Sequence, residues 1–172
     1  SMKIFKTKKG NFDEYNPLLI AEVAQSHEGS EGLAHSLIDS LADINCKAVK
    51  FQIHLSEFES SNQDEFRVNF SYEDKNRFEY WKRIEFSFTQ WKRIINHCKE
   101  RNLLVGASVF SLEALDIALK NNFDFIKVGS GDLLFSDLIE AIMKTKLPVI
   151  FSSGMATWDE LENICNKFKY HI

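Results

Sequence analysis

The chain has 172 residues, 25 acidic against 21 basic side chains, a formal charge of -4 and an isoelectric point near 5.7. Hydrophobic residues make up 44% and aromatics 13%, enough for one ordinary domain with a real core and against default disorder. The balance leaves no general basic field and no local basic patch for nucleic acid or an anionic membrane, and the longest apolar runs, "NPLLIAEVA" and "LLVGASVF", are far too short to cross a bilayer.

Ser1 before Met2 reads as a cloning scar, and "MKIFKTKKGNFDEY" as a hairpin turning at Lys9 to Asn11, so residues 1–17 stand apart from 18–172. The first strand is expected at Leu18 to Ala24, followed by a helix behind the cap Ser30 with Leu33, Leu37, Ile38 and Leu41 at helical spacing. The second strand is Ala48 to Ile53. After it, Leu55 to Glu85 reads as a long, polar and aromatic connection that would overhang a site. Ser87 and Gln90 form a capping-box pattern ahead of Trp91, Ile94, Ile95 and Cys98 on one stripe. Leu103 to Val109 is the third strand, and Ser111 opens a helix carrying Leu112, Leu115 and Leu119. Phe125 to Ser130 and Val149 to Ser153 complete the strands. The helix between them carries Leu138, Ile139, Ile142 and Met143; the last, capped by Thr157 and Glu160, turns Leu161, Ile164 and Phe168 inward.

Five nearly continuous apolar strands with helical crossovers imply a parallel α/β sheet covered on its faces. A polar residue in mid-strand between apolar neighbours, as in "AVKFQIH" and "FIKVGSGDL", suits a strand facing a barrel interior, so a (β/α)8 TIM-barrel type is expected rather than a doubly wound sheet. A whole barrel takes roughly 250 residues and eight units. Only about five units are present, which leaves an unpaired sheet edge, and the chain is expected to be a fragment or one part of an assembly. Cys46, Cys98 and Cys165 are odd in number and lack CxxC spacing, which argues against a disulfide framework or a zinc site; the expected compartment is the cytoplasm.

In a parallel β/α protein the residues that do chemistry sit at the carboxyl ends of the strands. Those ends deliver Glu22 and "QSHEG", Lys50 and Gln52, Ser108, then Lys127, Ser130 and Asp132, then Ser152 and Ser153. Lys50 and Gln52 are two apart and leave their strand on one face. Two buried lysines need anionic partners, either a ligand or the carboxylates Glu22 and Asp132. With serines and glycine-rich turns feeding helix amino termini, they suit a small, highly charged anion such as phosphate.

"IAEVAQSHEGS", "AVKFQ", "EFS", "KVGSGDL" and "PVIFSSGMAT" together resemble the N-acetylneuraminate (sialic acid) synthase family, in order and spacing, from about Leu18 to Phe168. The resemblance implies a barrel followed by an antifreeze-like domain, and the condensation of phosphoenolpyruvate with an N-acyl sugar such as N-acetylmannosamine. In that reaction the enolpyruvate C3 attacks the open-chain aldehyde, water adds at C2, and phosphate leaves by C–O cleavage. It places phosphoenolpyruvate against Lys50, Ser108, Lys127, Ser130 and Ser152, with Glu22 and Gln52 toward the sugar or the reacting water. Glu22, Lys50 and Lys127 are thus the expected catalytic residues and Gln52, Ser108, Ser130 and Ser152 the substrate-binding ones. A divalent metal, manganese or magnesium, and a homodimer are expected of the full-length protein, with the metal ligands outside this chain. The departures are Ser26 where the family has asparagine, "ASVF" in place of "STPF" or "STLF", and the missing later strands and antifreeze-like domain.

Plainer readings stand beside these. Lys127 alone could be a snorkelling lysine or half of an ion pair, and Gln52 could only cap interior hydrogen bonds. His27 is expected to bond locally in the first loop; His35, His54 and His97 read as surface or helix-face residues, Glu73 to Arg83 as a solvated face, and Trp81 and Trp91 as core anchors. A Schiff-base aldolase using Lys127, or a remnant that binds phosphosugars without turnover, are the alternative functions.

Overall fold

A computed structural model describes residues 4–59, 77–129, 136–152 and 157–168. The described chain opens with a hairpin, β1 (Phe5–Thr7) paired antiparallel with β2 (Gly10–Phe12), turning through residues 8 and 9. Five parallel strands follow: β3 (Ile20–Ala24), β4 (Ala48–Ile53), β5 (Leu104–Val109), β6 (Phe125–Val128) and β7 (Val149–Phe151), side by side in chain order. The crossovers carry α1 (Glu31–Asp43), α2 (Ser56–Glu59), α3 (Arg77–Ile84), α4 (Phe88–Glu100), α5 (Leu112–Lys120) and α6 (Ser136–Lys144), and α7 (Trp158–Phe168) comes last. This is the parallel α/β sheet that the sequence implies. One part of the long second connection departs from expectation, because α3 forms there, where a loop was anticipated.

The helix starts are fixed by short-range hydrogen bonds. Ser30, Ser87 and Ser111 accept from the backbone N–H groups of Leu33, Gln90 and Ala114. Ser87 with Gln90, and Thr157 with Glu160, bond reciprocally and so satisfy two orphan donors each. The helix ends repeat one device. Asn45, Asn102 and Asn122, at φ 60, 59 and 57, follow α1, α4 and α5 in the left-handed region. Each donates its N–H to a carbonyl of the preceding turn, and the next residue bonds one position further back, as in Asn102 to Lys99 and Leu103 to Cys98. Asparagine tolerates this conformation because its side chain is short and polar. Alanine at any of the three is expected to cost about 1 kcal/mol, and glycine to be neutral or mildly stabilising; thermal melts of the six variants would check the order.

One face of the sheet packs on the helices. Val49, Phe51, Ile53, Val105, Ala107 and Ile126 meet Ile38, Trp91, Ile94, Cys98, Ile142 and Met143 in one core. Each fully buried aliphatic side chain there stabilises by about 1.5–3 kcal/mol. On α5 the expected leucine stripe is corrected: Leu112 and Leu119 are exposed, and Ala114, Leu115 and Ala118 are buried. Small residues let the helix axis approach the sheet, which pushes the larger flanking leucines to the rim. α1 and α4 are also joined by a chain of polar contacts. Arg93 grips Glu31 with two nitrogens at 2.6 and 2.8 Å, the Nδ1 atoms of His35 and His97 lie 2.7 Å apart, and His97 reaches Asp39 at 2.7 Å. The Arg93 guanidinium holds the Glu31 carboxyl at about 2.

The opposite face is sealed at its amino-terminal end by Phe12 of the hairpin, packed with Ala48, Leu104 and Phe125. Directly above, Gly106 leaves the space that Phe125 fills, and a Cβ there would overlap the Phe125 ring. Gly106→Ala is therefore expected to lose about 2 kcal/mol in urea unfolding, and a smaller residue at 125 to restore part of it.

Candidate functional site

Residues paired across a parallel sheet send their side chains to the same face. The pairing Glu22, Lys50, Gly106, Phe125 therefore makes one row on the face away from the helices, and Gln52, Ser108, Lys127, Ile150 make the next row toward the carboxyl ends. The sequence reading reached Glu22, Lys50, Gln52, Ser108 and Lys127 from their places at the ends of the strands. The register shows how they meet.

Lys50 is 2% exposed, and its Nζ donates to Ser108 Oγ at 2.6 Å and contacts Glu22 Oε1 at 2.9 Å. Burial pulls the Lys50 ammonium below its ordinary pKa, the Glu22 hydrogen bond and charge push it back up, and the neighbouring Lys127 pushes it down again. Glu22 itself remains 44% exposed, at the open side of the row. Lys127 is half-buried, and among the described residues none pairs with its ammonium. The two lysines thus divide the alternatives left open by the sequence: Lys50 takes the carboxylate Glu22, and Lys127 is left without a counter-ion among the described residues. Among the described residues of the two rows, one carboxylate stands against two cations.

Gln52 lies beside Ser108 in the outer row, and its Oε1 is 3.1 Å from His54 Nε2. Ser152 is half-buried one strand beyond Lys127, its N–H donating to the Val128 carbonyl at 2.9 Å. Ser130 lies outside the described residues, as do Asp132 and Ser153. The structure accordingly brings Glu22, Lys50, Ser108 and Lys127 together, with Gln52 alongside and Ser152 at the margin.

The first loop is built to stay put. Ala24, at φ 50, turns the chain out of the sheet, and Gly29, at φ 79, passes so close to the Arg83 carbonyl and the Ile84 Cα that a Cβ would stand 2.7 and 2.9 Å from them. Between them His27, 2% exposed, accepts the Gly29 N–H on Nδ1 at 3.0 Å, the local bond expected of it. Its ring lies 4.3 Å from Phe86 and edge-on to Trp91, and its Nε2 has no hydrogen-bond partner. Burial holds the imidazole neutral, with a pKa of about 4.

Two expectations fail here. His54 is not a surface histidine, and Trp81 is not simply a core anchor: the His54 ring stacks on Trp81 at 4.6 Å and 13° and on Phe110 at 4.1 Å and 7°. Those partners lie on α3 and just past β5, too far along the chain for any local pattern to join them. Among the described residues, no group of three or more His, Cys, Asp or Glu is placed to hold a metal ion. No helix among them is long and apolar enough to cross a membrane.

Fold and site together define a β/α-barrel type of chain whose chemistry-bearing side chains gather at the carboxyl ends of its strands. Solved structures share the arrangement. A sialic acid synthetase from Leptospira borgpetersenii serovar Hardjo-bovis superposes over 98% of this chain and 55% of its own length, with a TM-score of 0.80 and 27% identity. The phospho-2-dehydro-3-deoxyheptonate aldolase of Thermotoga maritima, 10% identical with a TM-score of 0.67, shares the fold alone. The chain belongs to the NeuB family, whose model matches residues 37–171. It is 32% identical over 148 residues to the N-acetylneuraminate-9-phosphate synthase of Drosophila melanogaster, and 27% identical over 156 to the N,N'-diacetyllegionaminic acid synthase of Campylobacter jejuni. These alignments take in 85% and 87% of the chain but only 40% and 46% of the relatives, so the chain spans less than half their length.

Proposed function

We propose that this face is the phosphoenolpyruvate side of a nonulosonic (sialic) acid synthase, which condenses that substrate with an N-acyl sugar such as N-acetylmannosamine and releases phosphate. The observation that carries the reading is the Lys127 ammonium, without a partner among the described residues, beside Ser108 in the outer row and one row from the buried Lys50. Phosphoenolpyruvate bears both a phosphate and a carboxylate. Lys127 supplies the free positive charge, Lys50 a second cation already steadied by Glu22, and Ser108 and Ser152 neutral hydrogen bonds that fix orientation, with Ser130 assigned the same role. The named activities of the relatives, and the citrate complex of the Leptospira protein, another small multiply charged anion, point the same way.

In the proposed reaction the enolpyruvate C3 forms a bond to the aldehyde carbon of the open-chain sugar, and the aldehyde oxygen takes up a proton. Water adds at C2, and cleavage of the C2–O bond frees inorganic phosphate. Glu22 lies at the open side of the row, where a carboxylate can orient that water or move its proton, and Gln52 faces the sugar. No step is assigned to a metal.

Calorimetric titration of phosphoenolpyruvate into the chain tests the reading. Binding is expected, and Lys127→Met is expected to weaken it about tenfold through loss of one charge-assisted contact. Absence of binding, or an unchanged affinity in the variant, would overturn it. Borohydride trapping of a substrate on Lys127 would instead support the Schiff-base alternative.

A further inference from the structure

Gln52 is the one amide in the outer row of the site, and an amide is ambiguous: turned one way it offers a carbonyl to a ligand, turned the other way an NH2 group. Its neighbour can hold it to one of the two. His54 Nε2 stands 3.1 Å from Gln52 Oε1, and the tautomer of the imidazole decides which end of the amide it engages. The His54 ring is itself held in place. Trp81 and Phe110 lie nearly parallel to it, at 13° and 7°, with centroids 4.6 and 4.1 Å away, and two rings at those distances must take one face each. Rotating the imidazole would break both stacks. The ring therefore sits in a slot that fixes where its Nε2 points, and with it where the Gln52 amide is engaged.

We infer that His54, clamped between Trp81 and Phe110, is a positioning residue that holds the Gln52 amide in one orientation at the site, so that this position presents a single hydrogen-bonding group to the sugar substrate. The inference rests on the synthase reading for the identity of the ligand, but the clamp itself is a property of the chain alone. It gives a purpose to α3, which supplies Trp81 from within the long second connection. The selectivity follows from what a mismatch leaves behind: a sugar whose group at that point does not complement the end of the amide turned toward it strands a half-buried polar group.

The experiment has two arms, each on the full chain. In the first, the side-chain amide resonances of Gln52 are followed by NMR without ligand in the wild type, in His54→Phe, which keeps a flat ring in the slot but no N–H, and in His54→Gln, which keeps a donor. His54→Phe is expected to shift the Gln52 pair, and His54→Gln to retain part of the wild-type signature; amide resonances indifferent to His54→Phe would overturn the inference. In the second, phosphoenolpyruvate affinity is measured, followed by N-acetylmannosamine affinity with phosphoenolpyruvate present. His54→Phe is expected to leave the first within twofold and weaken the second about tenfold. Equal losses of both ligands would reduce His54 to a structural role and overturn it. If the wild type binds neither ligand while the Gln52 resonances still follow His54, the synthase reading falls and the positioning role stands.

Discussion

Replacing Lys50 with methionine is expected to weaken phosphoenolpyruvate binding by about 100-fold without loss of stability. The two effects separate because they draw on different terms. For the ligand, Lys50 is a desolvated cation within reach of an anion, and its removal forfeits a charge-assisted hydrogen bond that no neighbour can replace. For the fold, the same ammonium is a burden: it is 2% exposed, and the Glu22 and Ser108 contacts only offset the cost of taking it out of water. A methionine of similar length fills the space with no charge to satisfy. Glu22→Ala should do the reverse to stability, because it leaves the Lys50 ammonium with Ser108 as its remaining close contact. A loss of about 2 kcal/mol is expected, below the roughly 3–5 kcal/mol of fully buried pairs, because Glu22 is 44% exposed. The double variant should recover most of that loss. Urea unfolding and calorimetry on the four proteins would test the cycle, and a Lys50→Met chain that binds phosphoenolpyruvate like the wild type would remove Lys50 from the site.

The second large effect is an acid sensitivity carried by His27. Its folded pKa of about 4 lies below the ordinary 6.5, so between those values the unfolded chain binds a proton that the folded chain refuses. The contribution of this neutral imidazole is fully present above pH 6.5 and is lost as the pH falls toward 4, by about 3 kcal/mol in all. The depressed Glu31 carboxyl, at about 2, acts in a lower window, since its contribution begins to fade only below the ordinary value of 4.5. His27→Asn provides the control: asparagine can still accept the Gly29 N–H two residues on, but it does not titrate. It should lower stability at pH 7, where the ring packing against Phe86 is lost, and flatten the slope between pH 6.5 and 4. Denaturant unfolding across that range would show it, and an equally steep slope in the variant would place the sensitivity elsewhere.

Much of this was legible in the sequence because it is local. Strand runs, the serine caps and the reciprocal Ser87–Gln90 and Thr157–Glu160 pairs lie within a few residues of one another; period-two spacing was enough to put Lys50 with Gln52, and their places at strand ends grouped Lys127 and Ser108 with them. What escaped depends on contacts distant along the chain. The stack of His54 between Trp81 and Phe110 joins three elements, and nothing near residue 54 announces it. α3 was missed because its segment, "RFEYWKRI", is short and rich in charge, which made it read as a solvated face of the long connection. The exposed Leu112 and Leu119 show a further limit, since hydrophobic spacing marks a face but not how closely that face can approach its neighbour. Whether Lys50 would meet Glu22 or a ligand was a question of register, which only the paired strands answer.

The missing Cβ at Gly106 also bears on how this sheet can change over evolutionary time. Because Phe125 occupies the volume that a side chain at 106 would need, the two sites share one allotment of space. Homologous chains should then trade bulk between them, an alanine or serine at the first appearing with a slimmer residue at the second, and lineages that alter one alone should be rare.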